Sequence, residues 1–233
     1  MTTVLPRSVH ELEQEFAGLA GEIPESPEKR ALSLLHAMLM ELWHAPHGDG
    51  DGAAAAVPDV AELYRSAPPM EGEALNAPLP PGTEAPDFAL SDASGHTVSL
   101  RSLRGRPVVV VFYPLDWSPG CSQQLELYQQ EIDEFHARGT ELVAISVDSL
   151  YSHGAWAAVR GITFPLLADF HPKGEVARAY SVWREPDGFA ERALYVVDAD
   201  GVIRYSRVTP YLHHVPDIYE LLEAVDEVAG ARV

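Results

Sequence analysis

PVVVVFYPLDWSPGCSQQ, residues Pro107–Gln124, decides how the remainder of the chain is read. The run from Pro107 to Tyr113 is continuously β-branched and aromatic, the pattern of a strand buried on both faces. Pro114 interrupts it. Ser118 then suits an N-cap and Pro119 the first position of a helix, on which Leu125, Tyr128, Ile132 and Phe135 share one face until Gly139. Cys121 falls in the first turn of that predicted helix. Backbone N–H groups are unpaired there and the helix dipole is positive, so an anionic sulfur is favoured and the thiol is expected to ionise below the free value of about 8.5. Outside such a context, a lone cysteine is most often an inert buried residue.

Outward from this stretch the pattern alternates. Glu141–Val147 reads as a second buried strand, His153–Val159 as a helix, Phe164–Ala168 as a short strand, and Gly174–Tyr180 as a helix. Strands Ala193–Val197 and Val202–Val208 meet through Asp198–Gly201, and a final helix runs from about Pro216 to Ala229. On the other side, Phe88–Leu90 and Thr97–Leu100 form a hairpin across Asp92–Gly95. Strands alternating with helices and closing on a hairpin predict an α/β sandwich with a mixed central sheet. Before residue 78 the character changes. Ala67–Pro81 is proline-rich and aperiodic, an extended linker, so residues 1–77 are expected to be a helical region with its linker and 78–233 the α/β domain. Within the first region, Ser8 and Glu11 make a capping box, and Ser26 and Pro27 open a second helix with Ala31, Leu34, Leu35, Met38 and Leu42 on its apolar face. A flexible GDGDGAAAA segment from Gly48 and a short helix over Pro58–Tyr64 complete it.

The chain has 233 residues, 46% of them hydrophobic, enough for a real core. Sixteen Lys and Arg against 35 Asp and Glu leave a net charge of −19, which repels nucleic acid and anionic membranes alike. No apolar stretch is long enough to cross a bilayer, and MTTVLPRSVHELEQEF lacks the features of a secretory leader, so a cytoplasmic location is expected. One cysteine permits no internal disulfide. Its chemistry must involve a second molecule.

Pro114, Ser118 and Cys121 resemble the Pro-x-x-x-Thr/Ser-x-x-Cys motif of peroxiredoxins, the alkyl hydroperoxide reductase and thiol-specific antioxidant family. GTEAPDFAL at Gly82, SVDSLYSHGAW at Ser146, FPLLAD at Phe164 and RALYVVDADGVIR at Arg192 look like the same family in the same order, over about residues 78–225. The resemblance implies a thioredoxin-like fold and a peroxidase in which Cys121 attacks a hydroperoxide to give a sulfenic acid. It implies that Ser118 contacts the peroxide, that Pro114 shields the pocket, and that Arg192 brings its guanidinium to the sulfur and the substrate oxygens. Gln124 would help position Arg192, with Gly120 and Trp117 also at the substrate pocket. With no second cysteine, the resolving thiol is external: a low-molecular-weight thiol or a thioredoxin- or glutaredoxin-like protein. No cofactor or metal is required, and a homodimer is the family expectation. This reading needs a sulfur that oxidant can reach and an Arg192 that does not turn away into solvent.

WSPGC at Trp117 also resembles the Trp-Cys-x-x-Cys of thioredoxin-like oxidoreductases with serine for the first cysteine, which leaves a thiol–disulfide or redox-inactive binding module as the alternative. No proline stands before Ala193, where those oxidoreductases usually carry one, and this favours the peroxidase. Glu41 with His44, His44 with His47, and His213 with His214 lack the further ligands a metal site needs, and read as surface or helix-end residues. His153 matches a family position without an assigned role. Met38 and Met40 near Trp43 read as packing. The N-terminal helices would serve either as a structural layer or to recruit a reductant or client.

Overall fold

The computed structural model describes residues 68–230; the expectations for the helices, linker and histidines before Pro68 lie outside them. A hairpin of β1 (Ala89–Ser91) and β2 (Thr97–Ser99) leads through a 3-10 turn at Leu100–Leu103 into β3 (Val108–Phe112). There follow α1 (Pro119–Gln130), α2 (Ile132–Ala137), β4 (Glu141–Ser146), α3 (Leu150–Arg160), β5 (Leu166–Ala168) and α4 (Glu175–Ala179). A small hairpin of β6 (Trp183–Arg184) and β7 (Phe189–Ala190) precedes β8 (Ala193–Val197), β9 (Ile203–Val208) and α5 (Ile218–Gly230). The central sheet has the order β5-β4-β3-β8-β9, with β3, β4 and β5 parallel and β8 and β9 antiparallel. It is the mixed sheet the alternation predicts.

Strand periodicity of two explains how one sheet serves two cores. Val109 and Val111 of β3, Leu142 and Ala144 of β4, and Leu194 and Val196 of β8 pack with Leu125, Phe135, Trp156 and Val225 on the face covered by α1, α2, α3 and α5. The intervening residues, Val108, Val110, Phe112, Val143, Ile145, Tyr195 and Val197, pack with Phe88, Leu100, Val176 and Ala177 on the other. Every residue of β3 and β8 is therefore buried.

Two differences from the sequence reading are local. The helix expected from Pro119 toward Gly139 is two, because Glu131 leaves helical geometry at φ −99° and ψ 13°, and the break brings the Phe135 ring to 6.3 Å from Tyr128. The β6–β7 hairpin, too short for periodicity to reveal, folds over Glu185–Gly188, with the Asp187 and Gly188 N–H groups donating to the Arg184 carbonyl at 3.1 and 2.9 Å. The stretch 68–77 forms no helix or strand, only an isolated bridge from Glu73 to Tyr211. It is nevertheless bonded to the domain: Ala74 N donates to Pro210 O at 2.9 Å, and Leu212 N donates to Gly72 O at 2.9 Å.

Candidate active site

Register builds the site. Phe112 at the end of β3 is paired with Ala193 at the start of β8, so the chain just before β8 reaches the carboxyl end of β3, where α1 begins. Arg192 has the parity of Leu194 and Val196 and therefore projects to the α1 face, whereas Glu191 has the parity of Ala193 and projects to the opposite one. Pro119 and Gly120 occupy the first two positions of α1 and Cys121 the third, where helix N–H groups have no partner within the helix.

The Arg192 guanidinium is buried, 1% exposed, and every nitrogen has a partner. Nη2 stands 3.5 Å from Cys121 Sγ, Nη1 donates to Gln124 Oε1 at 2.5 Å and to Gly120 O at 3.4 Å, and Nε donates to Leu212 O at 2.9 Å. Gln124 in turn donates to the Tyr128 hydroxyl at 3.1 Å. Burial pushes the Tyr128 phenol well above its usual range. Glycine at 120 is a matter of space: a Cβ there would stand 3.0 Å from Arg192 Nη2. Any side chain at that position would push the guanidinium off the sulfur.

Cys121, Arg192, Gln124 and Gly120 are thus brought together, and Pro114 is buried in the loop that enters the site. Two other residues are directed elsewhere. Ser118 sits at the N-cap, but its hydroxyl donates to Leu115 O at 3.2 Å and caps nothing, so the expected side-chain cap is corrected. The Trp117 indole N–H donates to Ser152 Oγ of α3 at 3.1 Å. A further correction concerns access: Cys121 is 0% exposed. A cleft of about 170 Å³ is lined by Pro69, Met70, Pro119, Gly120, Gln123, Arg192, Leu212 and His213. Arg192 is among the residues lining the cleft and Cys121 is not.

A buried network that the sequence reading missed holds the strand-to-helix loop. Asp116 accepts from the Tyr113 hydroxyl at 2.8 Å and from Ser152 Oγ at 2.7 Å, and its carboxylate lies 3.0 Å from His153 Nδ1, with both side chains fully buried. Its backbone N–H donates to Asp148 Oδ2 at 2.8 Å. Burial, and then the Asp116 charge, raise the Tyr113 phenol far above and the Asp148 carboxyl above their usual ranges. These bonds hold Trp117 at φ 64°, a left-handed conformation that costs a bulky residue about 1–3 kcal/mol. Asp116 was legible as a polar residue between two apolar ones, and His153 only as a residue at a family position. On the other face, the buried Glu191 carboxylate takes the Leu75 N–H at 2.7 Å, the Asn76 N–H at 3.1 Å and Arg184 Nη1 at 2.9 Å. His213 stacks on Tyr211 at 5.5 Å. No group of three potential metal ligands converges among the described residues.

A thiol at a helix entrance, facing a buried arginine across the end of a mixed sheet, defines a thioredoxin-like redox domain. Comparison with known proteins refines this: residues 81–206 match the AhpC/TSA family, and the chain belongs to that family, the peroxiredoxins, with a single cysteine consistent with its one-cysteine type. It is 41% identical over 128 residues to alkyl hydroperoxide reductase E of Mycobacterium tuberculosis, covering 54% of this chain and 84% of that protein. It is 37% identical over 155 residues to a thioredoxin peroxidase of Echinococcus granulosus, covering 61% and 79%. Among solved structures it resembles peroxidoxin BcpB from Mycobacterium tuberculosis, with a TM-score of 0.57, 26% identity, and coverage of 64% of this chain and 97% of that one. AhpC of Enterococcus faecalis gives a TM-score of 0.58 at 28% identity, covering 63% and 90%. No described helix is long and apolar enough to cross a membrane.

Proposed function

We propose that the protein is a thiol-dependent peroxidase in which the Cys121 thiolate attacks one oxygen of a hydroperoxide and an external thiol restores it. The observation that carries this reading is the buried Arg192 guanidinium 3.5 Å from a sulfur at the third position of a helix. A fixed cation and the free N–H groups of a first turn stabilise the thiolate, and the same cation stabilises the charge that develops on the departing oxygen. In the step, an S–O bond forms as the O–O bond breaks. Sulfur is oxidised by two electrons to the sulfenic acid, and the leaving alkoxide takes a proton to become an alcohol, or water from hydrogen peroxide. A first reducing thiol then displaces water to give a mixed disulfide, and a second releases Cys121 as the thiol.

Roles follow from the contacts. Gln124 holds Arg192 through the 2.5 Å bond, Gly120 leaves it room, Leu212 O fixes its Nε, and Pro114 closes the loop side of the pocket. For Ser118 to touch peroxide, its hydroxyl must leave Leu115 O, the same rearrangement of the first turn that would uncover the sulfur. The reductant is a small thiol or a thioredoxin- or glutaredoxin-like protein, the assembly a homodimer in the cytoplasm, and residues 1–77 a structural layer joined to the domain at about residue 78; light scattering on the whole chain and on one lacking residues 1–67 tests the assembly. Rapid mixing of wild type and Cys121→Ser with peroxide tests the chemistry. Peroxide loss matched by sulfenate at Cys121, and absent from the serine variant, is the expected result. Equal consumption by both proteins, or no dimedone adduct on the wild type, returns the reading to a thioredoxin-like binding module.

A further inference from the structure

The family match begins at residue 81, yet the cleft that opens on Arg192 is walled on one side by Pro69 and Met70, outside that match. This strap, residues 68–76, is built onto the site by a chain of bonds. Gly72 O accepts from Leu212 N at 2.9 Å, and Leu212 O accepts from Arg192 Nε at 2.9 Å, so one residue separates strap from guanidinium. Glu73 O accepts from Arg184 Nη1 at 2.8 Å, and the Glu191 carboxylate takes the Leu75 and Asn76 N–H groups. Gly72, at φ 137°, packs closely: a Cβ there would lie 3.1 Å from Arg184 Nη2 and 3.3 Å from Leu212 Cδ1. Neighbours in sequence thus divide the work, Arg192 facing the sulfur while Glu191 secures the wall.

The lining bears on what the cleft suits. Pro69, Met70, Pro119 and Leu212 are apolar, Gln123 and His213 are polar, and Arg192 supplies a guanidinium. Its volume of about 170 Å³ equals that of roughly five or six waters at the liquid density of about 30 Å³ each. Hydrogen peroxide, scarcely larger than water, would leave most of it unused. An organic hydroperoxide could place its peroxide group at the guanidinium and its hydrocarbon part against the strap, where apolar area leaves water. We propose, building on the peroxidase reading, that the strap is a wall of the substrate site and that Met70 is a specificity-determining residue selecting organic hydroperoxides with a compact hydrocarbon group.

The test is the ratio of the second-order rate constants for Cys121 oxidation by cumene hydroperoxide and by hydrogen peroxide, from single-turnover rapid mixing of the full chain. Met70 is half-buried, so both larger and smaller residues can be tried there without disturbing the core. Met70→Trp, which fills the cleft, is expected to lower the ratio at least tenfold. Met70→Ala, which widens it, is expected to change the ratio severalfold by loosening the fit. A ratio within twofold of wild type in both variants, with the wild type reacting rapidly, overturns the strap assignment and leaves the peroxidase reading standing. A wild type that consumes neither peroxide through Cys121 overturns both.

Discussion

Replacing Arg192 by methionine removes the positive charge and keeps much of the side-chain length. The guanidinium nitrogen nearest the sulfur is 3.5 Å away, and the centre of its delocalised charge lies further out, at about 4–5 Å. At the effective dielectric of about 20 that describes protein sites, a charge pair at that separation is worth about 4 kcal/mol. Part of this is felt by the thiolate and part by the oxygen leaving in the transition state, so oxidation at pH 7 should slow by about 10²–10³-fold, each factor of ten corresponding to about 1.4 kcal/mol. Stability must be followed separately, because Leu212 O and Gln124 Oε1 each lose a charged donor, at about 1–3 kcal/mol apiece. Arg192→Lys keeps the charge, but a single ammonium cannot serve the Leu212 carbonyl, the Gln124 amide oxygen and the sulfur at once. It should retain more rate than the methionine variant and less than wild type. Stopped-flow fluorescence with a stoichiometric peroxide pulse, read against sulfenate trapped on Cys121, gives the constants, and urea titration gives the fold. A folded Arg192→Met protein that oxidises within fivefold of wild type would refute the electrostatic role.

Three other outcomes follow from the contacts. Gln124→Leu keeps the charge and frees the fork, so the oxidation rate measured on the same instrument should fall about tenfold, and the buried Arg192 N–H left without its acceptor should cost about 1–3 kcal/mol by urea unfolding. Asp116→Ala strips a buried histidine, tyrosine and serine of their shared acceptor and should cost about 3–5 kcal/mol by urea unfolding, whereas Asp116→Asn, which keeps an oxygen in place, should cost less. Burial alone would raise the Asp198 carboxyl, but the N–H groups of Val202 and Asp200 and the Arg204 guanidinium outweigh it and hold the group below its ordinary range. A carboxyl depressed in the folded state adds stability above its unfolded value of about 3.9 and loses it as pH falls through the folded value. Asp198→Asn should therefore be less stable than wild type by about 1 kcal/mol at pH 6, with the gap narrowing as pH falls below the unfolded value of about 3.9; a gap constant from pH 6 into that acid range contradicts the linkage.

Much of the fold is written in strand periodicity. Val108–Phe112 alternates between two cores, and nothing but a central strand buries every residue of such a run. The same alternation, carried one residue before Ala193, points Arg192 toward the helix that bears Cys121, so its side was legible once the pairing of β3 with β8 was assumed. What periodicity does not carry is contact made by main-chain atoms. The strap has no apolar repeat, because it is fastened through its own N–H and C=O groups and through the Glu191 carboxylate, and any sequence with free backbone groups reads the same way. The Asp116 network was hidden for another reason: its members come from α3 and the loop before α1, and only the packed fold shows that they share one acceptor.

The burial of Cys121 turns the site from a static pocket into a question of order. The sulfur is fully buried, while Arg192 is among the residues that line the cleft. On the proposed reading, a hydroperoxide in that cleft would meet the arginine before the sulfur. The Ser118 hydroxyl caps no helix N–H and bonds instead to the Leu115 carbonyl, so the first turn of α1 lacks a side-chain cap worth about 1 kcal/mol. On the proposed reading, the bond from Arg192 Nε to Leu212 O anchors the guanidinium outside α1, whereas its bonds to Gly120 O and Gln124 Oε1 tie it to the helix that carries the sulfur, so charge and sulfur are placed by the same contacts.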